Sequence, residues 1–525
     1  MEDIYQSILN GHPGIAKIVR DYGRLPLEEY AGSFFRYDSE SIQTREDFIE
    51  VVSVYARRLL GSRTADLLER HFTDTPVALT ANHHGVDYKS LTVQGTIIFS
   101  LPKIYHSCNN AVPIIPVLAC GIVPLCNYSF PRGIILSRKI EVPISPTSKA
   151  TTFLKLPLIP WKYAHSLVSV TGPITGQMVS KAVKYLEKLT LKSELLDSEI
   201  KCLSALLSEY SGDGILSLPD YSDQAVVLSS VVWKKMFSPS LKDKIPDLAY
   251  LEIERVVREL LDRDIRDEAS LMHNLLFDPE LRNGILRYLD GQSACWDLRK
   301  LARLSECGTE NHPDSEDFRG CGTVFFWCVD AQGRRVPLLI RESSSGPILT
   351  GVVQGEGISI PMTPGEIRGK LQERKLLPSL FTSFTTLAFS RGINCIGGFF
   401  QVDYLPAMQQ GIIRVLESRG LLDWAQKCAK VPTTNFVAGM NIAFSLYPDG
   451  TTEPAGAVEI ISAGGLTQKD LDKIKALTVD EATLSGVMKI RPKSIASEMQ
   501  NNKLSASLDS KRIQEVENKI PHLEL

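Results

Sequence analysis

The sequence predicts an α+β or α/β fold, in which a mixed sheet core with flanking helices is followed by a helical middle segment and a second mixed α/β part. Three patterns predict it. Short apolar runs broken by proline and glycine, typical of strands, fill residues 112–170. Apolar residues at helical spacing dominate residues 194–304. A strand, a turn and a returning strand follow at 323–340. Such alternation favours helices packed against sheets.

The same patterns divide the chain of 525 residues into five segments. We expect an N-terminal helical segment at 1–75, an α/β core at 76–190, a mainly helical segment at 191–320, a second α/β region with hairpins at 321–490 and a polar tail at 491–525.

The first half of the chain contains three clear helix patterns and one clear strand pattern. Residues 42–60 predict a helix that Thr44 can cap. Residues 76–81 are rich in strand formers and predict the first strand of the core. Helical spacing returns in residues 90–101 and 175–189, so we expect helices on both sides of the strand-rich region.

The second half of the chain predicts amphipathic helices and hairpins. Residues 246–261 place charged side chains between apolar ones at helical spacing, which predicts one helix, and Pro279 opens another. Hairpins are expected at 323–340 and at 441–461, with the turn of the second at 447–450. Three further segments between the hairpins predict helices: 364–374, 378–390 and 406–419.

Composition and charge narrow the classes of function. The formal net charge is −3, from 58 basic and 61 acidic residues, and without a visible basic patch we expect no nucleic-acid partner. The N-terminus lacks the apolar core of a secretory signal, and the most apolar run, 111–126, is short and contains three prolines. We therefore expect a soluble, cytoplasmic protein without a transmembrane segment. The sequence indicates neither a cofactor nor an oligomeric state.

The polar cluster at 82–87, directly after the first predicted strand, is the leading candidate site. Loops at strand ends hold reactive side chains on a rigid base. Either His83 or His84 is suited to be a general base, with Asp87 fixing its orientation and Asn82 contacting the substrate. This pattern predicts an enzyme that acts on a small molecule by acyl or other group transfer.

Two alternatives stay open for the same cluster. His83, His84 and Asp87 offer the ligand types of zinc or iron, and His106 or His165 is a possible further ligand. Adjacent residues of a strand face opposite sides, so both imidazoles reach one ion only if the chain turns there. The other alternative is a non-catalytic binding or scaffold protein in which the cluster is a polar turn.

The cluster resembles the glycerolipid-type acyltransferases. In that family a strand leads into Asn-His, four residues and Asp, and the histidine removes a proton from an alcohol that attacks a thioester. Here Asn82 and His83 lead to Asp87 with three intervening residues. Residues 121–125, 130–133 and 142–146 echo later family motifs, but Arg132 stands where the family has an acid. The resemblance, over about 70 residues, implies a His-driven acyl transfer.

Other residues are candidates for substrate binding. Arg132 and Arg138 are suited to pair with a carboxylate or phosphate, and the alternative is surface ion pairing, the usual role of exposed arginines. The glycine-rich stretch 391–404 permits close backbone approach to a ligand, with Arg391, Gln401, Asp403 and Tyr404 as candidate contacts. The alternative for this stretch is a loop that connects two helices.

Overall fold

The part of the chain that the structure describes contains sixteen strands and twenty-one α-helices. A computed structural model gives residues 4–36, 46–106, 112–145, 148–192, 194–306, 320–353, 356–489 and 512–525. The strands are β1 (Val77–Leu79), β2 (Ile114–Ala119), β3 (Gly133–Ser145), β4 (Ser148–Pro157), β5 (Asp247–Glu252), β6 (Phe326–Val329), β7 (Arg335–Pro337), β8 (Leu339–Ser343), β9 (Gly346–Val353), β10 (Glu356–Pro361), β11 (Leu376–Pro378), β12 (Asn394–Gly398), β13 (Phe436–Ala438), β14 (Phe444–Leu446), β15 (Thr452–Pro454) and β16 (His522–Glu524).

The helices lie before, between and after these strands. They are α1 (Ile4–Gly11), α2 (Pro13–Tyr22), α3 (Leu27–Ser33), α4 (Glu46–Leu60), α5 (Ser62–Asp74), α6 (Ser90–Ile104), α7 (Gly176–Leu191), α8 (Asp197–Tyr210), α9 (Asp213–Leu216), α10 (Tyr221–Lys235), α11 (Ile253–Arg266), α12 (Leu271–Phe277), α13 (Pro279–Tyr288), α14 (Leu298–Glu306), α15 (Pro364–Gln372), α16 (Leu380–Phe384), α17 (Gln401–Ser418), α18 (Leu422–Ala429), α19 (Ala457–Ser462), α20 (Gln468–Ala476) and α21 (Val479–Lys489).

A sheet of five parallel strands forms the centre, in the order β13-β12-β1-β2-β5. The chain runs from β1 to β2 and then to β5 on one side, and later adds β12 and β13 on the other. The order therefore reverses between β1 and β12. The predicted combination of a sheet core with flanking helices is confirmed.

Both faces of the central sheet are buried, because alternate residues of its strands enter two different cores. On β2, Ile115 and Val117 join the core that contains residues of α6 and α10. Ile114 and Leu118 join the core that contains residues of α4, α5 and α11. Successive strand residues point to opposite faces, so a strand buried on both faces shows no alternation of polar and apolar side chains.

Strand β5 corrects the prediction of a helix over residues 246–261. Asp247–Glu252 pairs in parallel with β2 along its whole length, and α11 begins only at Ile253. Because β5 is almost entirely buried, its apolar run lacks the two-residue period of a half-exposed strand. The charged residues of α11 have helical spacing, and this spacing led to the prediction of a helix over the whole segment.

The hairpin predicted at 323–340 is confirmed, since β6 pairs antiparallel with β7. The second predicted hairpin is only half right. Strand β14 does turn back, but onto β15, and the residues expected as its partner form helix α19. The stretch 391–404, considered as a connecting loop, instead contains strand β12 and the first turn of α17.

The central sheet combines strands from three of the segments expected from the sequence: β1 and β2 from 76–190, β5 from 191–320, and β12 and β13 from 321–490. In the predicted polar tail, residues 491–511 lie outside the described residues, whereas β16 pairs in parallel with β14. Among the described helices, none combines the length and apolarity needed to cross a lipid bilayer.

Candidate functional site

A cavity of about 430 Å³ opens at the carboxyl end of the central sheet. It lies beside the reversal of strand order between β1 and β12, which is where open parallel sheets bind ligands. Its volume is in the range of small-molecule sites. The sheet supplies much of the wall: Thr80, Ala81, Asn82 and His83 after β1, Cys120, Ile122 and Val123 after β2, and Gly398, Phe399, Phe400, Gln401 and Tyr404 from the end of β12 onward.

His83 is the member of the predicted cluster that presents an imidazole to this cavity. The main chain beyond β1 still runs beside β2: the Cys120 amide donates to the Asn82 carbonyl (2.8 Å) and the His84 amide to the Cys120 carbonyl (2.7 Å). This parallel pairing keeps the segment extended, so His83 and His84 point to opposite sides. Adjacent histidines on an extended chain were expected to diverge, and His83 and His84 do so.

The hydrogen bonds of Asn127 fix the tautomer of His83. The backbone amide of Ser129 donates to Asn127 Oδ1 (3.0 Å), which identifies that atom as the oxygen. His83 Nδ1 lies 3.2 Å from the same oxygen and 3.2 Å from Ser129 Oγ, whose proton is directed to Asn127. Nδ1 must therefore carry the proton and donate it. Nε2 then holds the lone pair, and no described residue hydrogen-bonds to it.

The surroundings of His83 keep it neutral. Burial lowers the pKa of this imidazole from its usual value, and the hydrogen bond to Asn127 opposes that effect only in part. The Tyr128 ring packs edge-on against the imidazole, with 5.7 Å between ring centroids. A neutral imidazole with a free lone pair is the form that accepts a proton.

His84 is fully buried and does not line the cavity. Its Nε2 donates to Ser222 Oγ (2.9 Å), and Ser222 in turn donates to Glu252. Its ring stacks on Tyr250, with centroids 5.9 Å apart. Burial lowers the pKa of His84, so it too is neutral. These contacts join the end of β1 to α10 and β5.

Asp87 binds Asn82 rather than either imidazole. Asp87 Oδ2 accepts from Asn82 Nδ2 (2.9 Å), and Oδ1 accepts from Thr92 Oγ1 (2.8 Å) and the Lys89 amide (3.2 Å). Gly85, at φ 113°, turns the chain between the histidines and this carboxylate, and a Cβ at that position would lie 2.7 Å from Pro131. Asp87 thus fixes Asn82, which lines the cavity, and the start of α6. Burial raises its pKa to about 6.

These positions bear directly on the metal alternative. Within the described ranges, no three His, Cys, Asp or Glu side chains are close enough together to hold an ion. His165 lies near Cys126 and Trp161, and His106 is exposed at the end of α6. The donor set that the metal hypothesis requires does not assemble around His83.

Comparisons with protein-family models, curated proteins and solved structures return no match.

Neither of the predicted anion-binding arginines lines the cavity. Arg132 is held between the rings of Phe130 and Trp161 and donates to the Ile159 carbonyl (3.1 Å). Arg138 donates to the Glu194 carbonyl (3.0 Å) and pairs with Glu199. Among the described lining residues Arg335 is the one arginine or lysine, and its guanidinium lies over the Trp327 ring at 4.9 Å.

The glycine-rich stretch divides between the cavity and the core. Tyr404 lines the cavity. Arg391 is buried away from it and pairs with Asp47 and Asp264. Asp403 faces the N-terminal helices, where it accepts from the Gly14 amide (3.0 Å) and lies 3.1 Å from His12.

Gln401, one of the predicted pocket residues of this stretch, lines the cavity and joins the end of β1 to β12. Its Nε2 donates to Thr80 Oγ1 (2.9 Å) and to the Cys395 carbonyl (3.1 Å). Gly397 makes room for this side chain, since a Cβ there would lie 2.5 Å from Gln401 Cβ. Gly397 therefore permits close packing within the chain, and the approach that it allows is to Gln401 and not to a ligand.

Cys120 and Glu254 are chemical groups at the cavity that were not predicted from the sequence. Cys120 lines the cavity, and its Sγ donates to Glu254 Oε1 (3.4 Å). Glu254 also accepts from the amides of Gly121 (2.7 Å) and Ile122 (3.2 Å). One signal was available for Cys120, which lies between two of the short apolar runs that predict strands in residues 112–170. Glu254 gave none, because its segment was assigned wholly to a helix.

Proposed function

We propose that this chain is an enzyme that transfers an acyl group to a small-molecule hydroxyl or amine in the cavity, with His83 as general base. One observation carries the proposal: His83 lines the cavity with Nδ1 occupied by Asn127 and Ser129 and with the lone pair of Nε2 left for a ligand. A base must reach the proton that it removes, and its protonation state must match neutral pH.

The remaining wall residues support a polar substrate with an apolar part. Arg335 offers a cation for a carboxylate or phosphate of the substrate. Tyr128 and Phe400, which are 60% and 67% exposed, lie at the cavity and give apolar surface for the rest of the molecule. The choice of acyl transfer among group transfers rests on the resemblance of residues 82–87 to the glycerolipid-type acyltransferases.

The experiment compares His83→Gln with His165→Gln, an exposed histidine that does not line the cavity. Acetyl coenzyme A and the acetyl thioester of N-acetylcysteamine serve as donors, with a panel of small alcohols and amines as acceptors, and products are measured by mass spectrometry. Loss of a general base costs roughly 10²–10⁴-fold in rate. We expect such a loss in His83→Gln and wild-type turnover in His165→Gln.

Equal turnover in both variants would eliminate His83 as the base. If wild type binds an acyl donor without converting it under any condition, and His83→Gln binds it equally well, the non-catalytic binding alternative is favoured instead. Calorimetric titration with each donor distinguishes that outcome from a failure of the variant to fold.

A further inference from the structure

A thiol and a carboxylate meet at the wall of the cavity beside His83. Cys120 is one of two described cysteines that are not buried, the other being Cys126. Of these two, Cys120 alone lines the cavity. Its partner Glu254 is buried at the start of α11. The pair therefore consists of a partly buried cysteine at the cavity wall and a fixed carboxylate behind it.

The protein holds the carboxylate in place. Three donors converge on Glu254: the amides of Gly121 and Ile122 and the thiol of Cys120. Gly121 is needed for this approach, because a Cβ there would meet Ser169 Oγ at 2.3 Å and Glu254 Oε2 at 3.1 Å. If Glu254 served only to fix the loop after β2, its hydrogen bonds with the two amides would be sufficient. The thiol contact aligns it with a group that faces the cavity.

We propose that Cys120 is the nucleophile of the cavity and carries the transferred acyl group as a thioester, with Glu254 as the base that takes its proton. This inference rests on the proposed function, because it assigns a covalent intermediate to the same acyl transfer. The donor is an acyl thioester or another activated ester, and the acceptor is the hydroxyl or amine whose proton His83 removes.

The two half-reactions balance. In the first, the Cys120 proton moves to Glu254, the sulfur attacks the carbonyl carbon of the donor, and the bond to the leaving thiol breaks as that thiol takes the proton from Glu254. In the second, His83 Nε2 takes the proton of the acceptor, whose oxygen or nitrogen attacks the thioester. The bond from Cys120 to the acyl carbon then breaks, and the cysteine sulfur recovers a proton from the imidazolium.

The shared wall explains why both groups are needed. His83 and Cys120 are paired in a parallel bridge, and paired residues of neighbouring parallel strands project from the same side. An acyl group on Cys120 is thereby held beside the imidazole that activates the acceptor. Proximity of this kind supplies a large part of the rate enhancement in group transfer.

The test uses p-nitrophenyl acetate, whose leaving group needs no specific recognition, with the full-length protein. Intact-protein mass spectrometry and peptide mapping should find one acetyl group on Cys120, and release of p-nitrophenolate should show a burst equal to the enzyme concentration. We expect the burst to disappear in Cys120→Ala, to persist in Cys126→Ala and to slow at least tenfold in Glu254→Gln. Acetylation of Cys126 in wild type without acetylation of Cys120 would overturn the proposal, and this readout needs no variant.

The His83→Gln variant separates this inference from the proposed function. If both are right, the burst remains in His83→Gln and the slower hydrolytic phase decreases. A burst on Cys120 followed by an unchanged hydrolytic phase removes His83 as the base and keeps the nucleophile. A decreased hydrolytic phase without any adduct on Cys120 removes Cys120 as the nucleophile and keeps His83 as the base.

Discussion

The imidazole of His83 and the thiol of Cys120 share one wall of the cavity, because the main chain pairs these residues just beyond the ends of β1 and β2. The same pairing directs His84 to the other side, where Ser222 and Tyr250 surround it. A single extended stretch thus separates two neighbouring histidines into different roles. His83 lines the cavity, and His84 packs in the core beneath it.

Asn127→Ala should weaken catalysis without weakening substrate binding. The Asn127 oxygen accepts the proton of His83 Nδ1, and without it Ser129 is the remaining acceptor for that proton. We expect kcat to decrease about tenfold, which corresponds to one hydrogen bond of roughly 1.4 kcal/mol, with KM little changed. ¹⁵N NMR of labelled histidine should show the Nδ1–H tautomer in wild type and a mixture of tautomers in the variant. A wild-type spectrum with the proton on Nε2 would contradict the assignment.

Asp87→Asn should change how stability depends on pH. Burial raises the pKa of Asp87 to about 6, well above its value in the unfolded chain. A carboxyl with a raised folded-state pKa contributes its full stability below about pH 4 and loses it as the pH rises through 6. Between pH 4 and 7, wild type should therefore lose about 2 kcal/mol of unfolding free energy relative to Asp87→Asn.

Urea denaturation at several pH values measures this difference. Asp423→Asn, at an exposed position, is the matched control and should run parallel to wild type. If the curves of Asp87→Asn and wild type were parallel as well, Asp87 would have the ordinary pKa of an aspartate. Burial would then not be the dominant influence on that pKa.

The sequence located the first strand and the polar cluster after it, because both signals are local. Residues 76–81 are strand formers, and the polar side chains begin where that run ends. The divergence of His83 and His84 followed from the two-residue period of an extended chain. What the sequence could not supply was their partners, since Asn127, Ser129 and Ser222 approach through pairing of distant segments.

The incorrect assignments of strands β5 and β12 have a common physical cause. Strand β5 and strand β12 lie in a sheet covered on both faces, so their side chains carry no polar alternation to distinguish a strand from a helix or a loop. Because β5 was assigned to a helix, Glu254 could not be placed at a strand end beside Cys120. Because β12 was considered as a loop, Gln401 could not be placed beside Thr80.

Arg391→Met should destabilise the fold and leave the site intact. The Arg391 guanidinium is buried between Asp47, at 2.6 Å, and Asp264, at 2.8 Å. Removing one partner of a buried ion pair leaves uncompensated charge and costs about 3–5 kcal/mol. We expect that loss in urea denaturation, with normal binding of acyl donors per folded molecule. Adding Asp264→Asn to the variant should restore part of the stability. Reduced binding by folded Arg391→Met would instead assign this arginine to the substrate, as the sequence analysis predicted.

Alkylation of Cys120 by iodoacetamide should accelerate as the pH rises through the raised pKa of Glu254. Burial and the neighbouring Glu252 carboxylate raise the pKa of Glu254 well above that of an ordinary glutamate, while burial and Glu254 itself raise the pKa of the Cys120 thiol well above its ordinary value. Arg335 is the charge that opposes the effect on Cys120. Glu254 therefore loses its proton first and becomes able to accept the thiol proton.

The rate of this alkylation, followed by peptide mass spectrometry, should increase in wild type as Glu254 ionises. In Glu254→Gln the base is absent, so the increase should move to the higher pH at which the thiol ionises unaided, and the rate at pH 8 should fall at least tenfold. Cys126, whose sulfur lies near His165, serves as the internal control in each digest. Identical profiles for Cys120 in wild type and Glu254→Gln would show that the carboxylate stabilises the β2 loop and takes no part in activating the thiol.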